Sequence, residues 1–375
     1  MDQVQTVAAQ FVTTGKVVSA QPYGAGNVND TFLVTVQGDA PSGEQPRFIL
    51  QRINTHVFRQ PKLIVSNMRR FTDHVRQRMA QETPHKRVRW EVPTVIATRD
   101  QQDFFEDPDG GFWRAISMIE GAKTYQSILN ADHARKAGYA LGRFQSLISD
   151  LDTNLLYDTL PGFHITPQYL TQYDHIRAQV QAHNMTNGPR ARDVEHCFQF
   201  VEAHRASATL LEDAQSAGRL SLRSIHGDPK VDNILIDDLT SEAISIIDLD
   251  TVKPGLVHYD IGDCLRSCCN LAGEETTELN AVTFDTDLCR IILDGYFEEA
   301  RHFFSPNDYA YLYDSIRLIA FELGLRFFTD HLAGNVYFRA KHAEHNLDRA
   351  LVQFKVAASV EAQEATIRKI TDVMR

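Results

Sequence analysis

The 375-residue sequence predicts an α+β, bilobal architecture. A small antiparallel-sheet N-terminal lobe with one helix is expected over residues 1–119, and a large, mainly helical C-terminal lobe over 120–375. Three observations lead there. Residues 16 to about 119 carry short runs that alternate apolar and polar side chains, the period of half-buried strands. From Ala131 onward, apolar residues recur at helical spacing. A chain of this length is also too long for one compact core, so two lobes are expected.

The elements follow in order. Lys16-Val17-Val18-Ser19 leads into a turn rich in Gly and Asn, Tyr23-Gly24-Ala25-Gly26-Asn27. Thr31 to Val36 alternates as a strand. A polar loop from Gly38 to Pro46 ends at a second strand, Arg47 to Arg52, and closes a hairpin. Pro61 suits the first helical position and opens a helix to about Met79. Strands near Val92–Ala97 and Phe112–Met118 complete the lobe, and the hinge is expected at Met118-Ile119-Glu120-Gly121. Helices are expected over 131–150, 166–185, 191–217, 259–271, 285–303, 307–332 and 344–374. Short strands at 222–225, 233–236 and 244–248 interrupt them. No internal repeat or low-complexity segment is visible.

Composition bounds the function. Hydrophobic residues make up 43% and charged residues 23%, as in a soluble globular protein. The net charge of −11 repels nucleic acid and anionic lipid, so neither nucleic acid nor membrane is expected as a partner. The densest basic cluster, Lys86-Arg87-Val88-Arg89, reads as a solvated turn before a strand. The N-terminus lacks a basic n-region and an apolar h-region, and no run of about 18 apolar residues occurs, so cytoplasm is the expected compartment. The five cysteines are odd in number and lack framework spacing. They read as buried thiols, with Cys264 and Cys268 sharing a helix face. Oligomeric state is not legible.

The densest chemistry lies in Ser224-Ile225-His226-Gly227-Asp228-Pro229-Lys230-Val231-Asp232-Asn233-Ile234-Leu235-Ile236. An acid and an amide five residues apart precede an apolar strand. A second strand, Ala243 to Ile247, ends at Asp248-Leu249-Asp250. A hairpin of this length returns Asp248 to the neighbourhood of Asn233 and Asp228. That pattern suits phosphoryl transfer from ATP, which needs a carboxylate to orient the attacking hydroxyl and oxygen ligands for Mg²⁺. Asp228 is the candidate base; Asn233 and Asp248 are the candidate metal ligands.

The spacing Asp-x4-Asn, then strand, then Asp resembles the catalytic loop and metal-binding Asp of protein kinases. The wording His-Gly-Asp is similar to the aminoglycoside phosphotransferase superfamily. The stretch Asp248 to Gly255, continuing to Tyr259-Asp260-Ile261-Gly262-Asp263, resembles its N-acetylhexosamine 1-kinase branch. So do Gly26-Asn27-Val28-Asn29-Asp30-Thr31, Phe48 to Asn54, and Arg326-Phe327-Phe328-Thr329-Asp330-His331. The resemblance runs from about residue 24 to about 355. It implies a protein-kinase-like fold, ATP and Mg²⁺ as cofactors, and a small-molecule acceptor, an amino sugar phosphorylated on its anomeric hydroxyl.

The flanking segments take roles in that frame. Gly24, Gly26, Asn27, Asn29 and Thr31 form a strand–loop–strand turn that can drape backbone N–H groups over nucleotide phosphates. It is not a Walker loop, which needs Gly-Lys-Ser/Thr opening a helix. The resemblance expects a Lys on the next strand, but Gln51 stands there with Arg52 beside it. Strand alternation points the two to opposite faces, and Arg52 is favoured as the phosphate contact because a guanidinium binds phosphate well. Asp73 is the only acid between Pro61 and Ala80, so a Lys–Glu pair of protein-kinase type is not expected. Met118 and Glu120 would meet adenine through their backbone. Tyr125, His164 and Arg326 are acceptor candidates together with Asp228. Asp260 and Asp263 are expected to support the catalytic loop, His226 to brace it, Asp250 to make an outer contact to the metal, and Asp232 to face solvent.

Three readings stay open: the sugar kinase; the same fold acting on an amino alcohol, homoserine or an aminoglycoside; and a non-catalytic nucleotide-binding module, suggested by the missing strand Lys.

Overall fold

A computed structural model describes residues 3–24, 28–37, 45–82, 88–180 and 189–375. The strand-rich half forms a sheet of six strands: β1 (Lys16–Pro22), β2 (Asp30–Gln37), β3 (Arg47–Ile53), β4 (Val95–Ile96), β5 (Phe105–Glu106) and β6 (Phe112–Ser117). They run in the order β1-β2-β3-β6-β4, with β5 pairing the far end of β6, and every pairing is antiparallel. Register matters most at one rung, where Thr31, Gln51 and Arg114 stand side by side on β2, β3 and β6. The expected strand near Val92–Ala97 shrinks to two residues, and β5 is an element the sequence reading missed.

The two faces of this sheet have different neighbours. One packs against the N-terminal helix α1 (Gln3–Ala8) and its 3-10 extension to Phe11, burying Val7, Phe11, Phe48, Leu50 and Trp113 together. A six-residue helix is too short to announce itself by period, and it too was missed. The opposite face carries Gln51 and Arg114 and looks into the cleft. Helix α2 (Pro61–Ala80) begins at Pro61 as expected. Its apolar stripe, Ile64, Met68, Phe71 and Val75, joins the core of the helical half, with Phe71 and Phe144 stacked at 5.0 Å.

The helical half contains α3 (Ala131–Leu147), α4 (Thr166–Gln179), α5 (Ala191–His204), α6 (Leu210–Ser216), α7 (Val257–Cys268), α8 (Thr286–Ala300), α9 (Pro306–Ala310), α10 (Leu312–Leu332), α11 (His345–Ala362) and α12 (Glu364–Val373). Three expected long helices are broken: 191–217, 307–332 and 344–374 each become two. Helix α10 is buried almost all round, as befits the central helix of a bundle. The hairpin of β9 (Ile234–Asp237) and β10 (Ala243–Ile246) gains a third strand, β7 (Ala122–Lys123). A separate pair joins β8 (Arg223–Ile225) to β11 (Lys253–Gly255). All five cysteines are buried and free. Among the described residues, no helix is long and apolar enough to cross a membrane.

Helices α3 and α8 approach backbone to backbone. A Cβ at Gly142 would lie 2.3 Å from the Tyr296 carbonyl oxygen, and one at Gly138 would lie 1.9 Å from that of Ile292. This contact seats Tyr296, whose hydroxyl donates to Gln145 Oε1 at 2.5 Å. Forcing a methyl into such a contact costs about 1–3 kcal/mol. Gly142→Ala is therefore expected to lower unfolding free energy by about that amount, read from urea denaturation.

Candidate active site

The segment His226-Gly227-Asp228 leaves β8 and has its backbone held at every polar group. Asp260, in the first turn of α7, accepts from the His226 amide at 2.9 Å and the Gly227 amide at 2.8 Å. Its third donor is Gln145 Nε2, at 2.9 Å. The His226 carbonyl accepts from Thr251 Oγ1 at 2.8 Å, and the Gly227 carbonyl from His164 Nε2 at 2.7 Å. The Asp228 carbonyl accepts from Asn233 Nδ2 at 2.8 Å, and its amide donates to His226 Nδ1 at 3.2 Å. Gly227 has φ of +90°, and a Cβ there would strike Thr251. Only glycine suits that position.

His226 braces the loop as expected. Its Nε2 donates to the Ile247 carbonyl at 2.9 Å while Nδ1 accepts, so the ring is neutral. Burial, the largest influence on it, lowers its pKa. His164 corrects the sequence reading. It is buried with φ of +64°, and both its nitrogens face acceptors: Glu322 Oε1 at 2.9 Å and the Gly227 carbonyl. A ring donating at both nitrogens is an imidazolium. Burial opposes that charge, but Glu322 outweighs burial and raises the pKa. His164 is committed to the loop and leaves no nitrogen for an acceptor molecule.

The β9–β10 hairpin brings the acids together. The Ile247 amide donates to the Asn233 carbonyl at 2.9 Å, which sets Asp248 beside Asn233. Asp248 takes a left-handed conformation, φ 67° and ψ 59°, costly for a non-glycine residue and typical of a constrained site. Its carboxyl accepts no hydrogen bond from a described residue. Asp248 is open to solvent, yet the protein around it pushes its pKa up, with Asp250 and Asp228 adding to the rise and Lys230 and Arg114 opposing it. For Asp228, burial pushes up, but the charge of Lys230, with those of Arg266 and His164, holds the carboxyl below its ordinary value. The sequence reading passed over Lys230. Its Nζ stands 3.5 Å from Asp228 Oδ2 and 3.9 Å from Asp232 Oδ2. The signal was available: a lysine two residues after the acid, inside the same loop.

These groups fit a magnesium ion. Asn233 uses its Nδ2 on the loop, and its Oδ1 accepts nothing from a described residue. Asn233 and Asp248 therefore offer hard oxygen donors among crowded carboxylates. Among the described residues, no three His, Cys, Asp or Glu side chains converge as a metal cage. A two-ligand site suits Mg²⁺, which retains waters and shares substrate phosphates.

On the sheet side of the cleft, Arg114 was missed and Arg52 misjudged. Arg52 is exposed, with its guanidinium 5.8 Å from the Trp113 ring centroid, on the face away from Gln51. Strand alternation turns it from the cleft. Gln51 points inward, donating to Thr31 Oγ1 at 3.2 Å and accepting from Arg114 Nε at 3.0 Å and Nη2 at 2.7 Å. Arg114 Nη2 also binds Asp250 Oδ1. Asp250 is thus buried and paired, where an outer metal contact was expected. Asn29 Nδ2 donates to its other oxygen at 2.6 Å, and Asn29 Oδ1 receives the Asn54 amide at 2.9 Å. Gly24 has φ of +76°, a conformation that favours glycine. Gly26 and Asn27 lie outside the described residues.

At the expected hinge position, the Glu120 carbonyl proposed for adenine is already held by Arg89 Nη2 at 2.6 Å, and its carboxylate pairs with Arg47. Arg89, expected in a solvated turn, also pairs with Asp237 and so fastens the hinge to the hairpin. Met118 is half-buried beside Ile119, which forms a small apolar cluster with Leu235 and Ile244. Tyr125 is not brought to Asp228. Its ring lies 4.9 Å from His133, just past β7, whose Lys123 pairs with Asp238 at the turn end of the hairpin. Asn233 and Asp248 stand at the opposite end.

Arg326 is brought to the site. It lies one turn after Glu322 on α10, near enough for its charge and that of Asp228 to act on each other. Its guanidinium sits 5.0 Å from the Phe163 ring, 4.9 Å from Tyr169 and 5.3 Å from Phe338. It forms no ion pair or hydrogen bond with a described residue. Asp330 holds the Phe338 loop by accepting the amides of Val336, Tyr337 and Phe338 at 2.8–3.0 Å.

A family model described as the phosphotransferase enzyme family (APH) matches residues 19–290, well over half of the chain. The fold is similar to that of an aminoglycoside phosphotransferase from Alicyclobacillus acidocaldarius, at 14% identity and a TM-score of 0.64, covering 98% of this chain and 96% of that one. It is also similar to a microcompartment-associated aminopropanol kinase, at 16% identity and a TM-score of 0.60, covering 97% and 98%. A choline kinase from Cryptosporidium parvum Iowa II matches at 13% identity and a TM-score of 0.55, covering 94% and 92%. At these identities the likeness is one of fold.

The His164–Glu322 pair has a pH signature. His164's raised pKa contributes stability in full below its unfolded value of about 6.5, and loses it as pH rises through the folded value. Glu322's lowered pKa contributes above about 4.3 and is lost as pH falls through its folded value. Removing one partner of a buried pair costs about 3–5 kcal/mol. Glu322→Gln is expected to cost that much near pH 6, with the gap from wild type narrowing as pH rises past the folded His164 value, measured by urea denaturation across pH.

Proposed function

The chain belongs to the phosphotransferase enzyme family, and from that premise we propose an ATP-dependent kinase that phosphorylates the anomeric hydroxyl of an N-acetylhexosamine. Residues 1–119 serve in this reading as the nucleotide lobe, and 120–375 as the catalytic and acceptor lobe. The observation that carries the transfer reaction is the loop 226–233, braced at every backbone polar group from His226 to Asp228, with the carboxylates of Asp228 and Asp248 set on one cleft. Asp228 accepts a hydrogen bond from the acceptor hydroxyl and aims its oxygen at the γ-phosphorus. The new O–P bond forms, the bond from the γ-phosphorus to the β-bridging oxygen breaks, the hydroxyl proton passes to Asp228, and ADP leaves. In a loose transition state orientation counts for more than basicity, so a carboxyl held below its ordinary pKa suits the task. Lys230 balances charge on the transferring group. Asn233 and Asp248 would hold Mg²⁺, which when bound would neutralise phosphate oxygens.

Arg326 supports a neutral, oxygen-rich acceptor. An arginine among three rings, with no carboxylate partner among the described residues, is suited to donate to an acetamido carbonyl or a sugar hydroxyl. Phe163 and Phe338 supply the apolar platform that a sugar ring needs. An amino alcohol of the kind named for two of the similar structures would instead bring a second cation to that guanidinium.

Asp228→Asn is expected to lower kcat by about 10²- to 10⁴-fold while ATP still binds, read by ADP release and by calorimetry. Arg326→Met is expected to raise the KM for N-acetylglucosamine about tenfold or more and leave that for ATP unchanged, as loss of a charge-assisted hydrogen bond implies. The deciding experiment is an ADP-release screen over N-acetylglucosamine, N-acetylgalactosamine, choline, ethanolamine, homoserine and an aminoglycoside, with the phosphorylated position identified. Turnover of cationic alcohols alone would overturn the sugar assignment. ATP binding with no acceptor phosphorylated would favour the non-catalytic module.

A further inference from the structure

The sheet has four cationic residues on its strands: Lys16, Arg47, Arg52 and Arg114. Lys16 lies at the outer end of edge strand β1, opposite Gln37. Arg47 is spent on Glu120, and Arg52 lies on the wrong face. Arg114 alone looks into the cleft, and it is 1% exposed.

Its hydrogen bonding is incomplete in a specific way. A guanidinium has five N–H donors. Gln51 and Asp250 engage Nε and Nη2, while Nη1 is buried and has no partner. Leaving a buried charged donor unsatisfied is costly, so a site that keeps one is poised for an acceptor brought by a ligand. The neighbours say where such a ligand would lie. Arg114 faces Gln51 across one β rung, the place where the strand lysine was expected. It is near enough to Asp248 for its charge to act on that carboxyl. Through Asp250 it also reaches Asn29, at the end of the glycine-bearing turn.

We infer that Arg114 is the nucleotide-phosphate cation of this protein, supplied from β6 in place of a lysine on β3, with Gln51 and Asp250 holding its guanidinium so that Nη1 donates to an α- or β-phosphate oxygen. The inference rests on the kinase reading above. It explains how a chain without the strand lysine retains a phosphate site. One strand spacing, about 4.8 Å, separates β3 from β6, a gap that a long guanidinium side chain bridges. It also makes Asp250 a shared counter-ion, linking the phosphate contact to Asn29 on one side.

Calorimetry with ADP, ATP and adenosine, in the presence of Mg²⁺, tests this on the full chain. Arg114→Gln is expected to weaken ADP and ATP binding by about ten- to a hundredfold and to leave adenosine binding unchanged, because only the phosphates are contacted. Arg114→Lys should recover part of the loss. The double variant Gln51→Lys, Arg114→Gln, which returns a cation to β3, should recover affinity that Arg114→Gln lacks. ADP affinity within about twofold of wild type in Arg114→Gln would overturn the inference. So would a parallel loss of adenosine binding, which marks a structural role. If Arg114→Gln does not fold, the double variant decides: near-wild-type ADP binding supports the inference, and lost phosphate affinity with adenosine retained overturns it. Wild-type protein that binds neither ATP nor ADP would overturn the kinase reading itself.

Discussion

One buried carboxylate organises the site. Asp260 accepts the amides of His226 and Gly227 and the side chain of Gln145, so three N–H groups converge on it. Burial raises its pKa, and the three N–H donors oppose that rise. The arrangement extends outward. Gln145 is oriented by Tyr296, and Tyr296 is seated by the contact of α3 and α8 at Gly138 and Gly142. The interface of α3 and α8, behind the loop, therefore helps to set its position. Because each hydrogen bond in the chain is buried, losing one strands a polar group in a dry interior.

Charge is the second constraint. Asp228, Asp248 and Asp250 bring three carboxylates together, against Lys230 and Arg114. The carboxyls also separate by role. Asp228 is drawn down by surrounding positive charge, while Asp248 is pushed up by the protein around it and by the neighbouring acids Asp250 and Asp228. Asp250 is neutralised by Arg114 and serves as a link between the sheet and the hairpin. Helix α10 does the equivalent on the other wall, with Glu322 anchoring His164 and Arg326 standing one turn further on.

Legibility in the sequence followed range. The loop from His226 to Asn233, its hairpin and Asp248 were readable because their geometry is local: short spacings, one turn, one register. The hairpin of β2 and β3 and the start of α2 at Pro61 were readable for the same reason. The three long helices that split did so at 3-10 segments or single-residue breaks, where tertiary packing overrides a continuous apolar period. The two-residue strands β4, β5 and β7 exist only because a partner strand is present.

What the sequence determined alone was the identity and spacing of the candidate base and candidate metal ligands, since Asp228, Asn233 and Asp248 sit within 21 residues of one another. What only the tertiary structure decided was which distant side chains meet them. Arg114 and Asp250 are 136 residues apart in the chain, and His164 and Glu322 are 158 apart. Whether Arg52 or Arg114 faces the cleft depends on which sheet face the N-terminal helix covers. Whether His164 touches a ligand or holds a carbonyl depends on where α10 delivers Glu322. Contacts of that range leave no trace in local periodicity, because they are set by the packing of whole elements rather than by neighbouring residues.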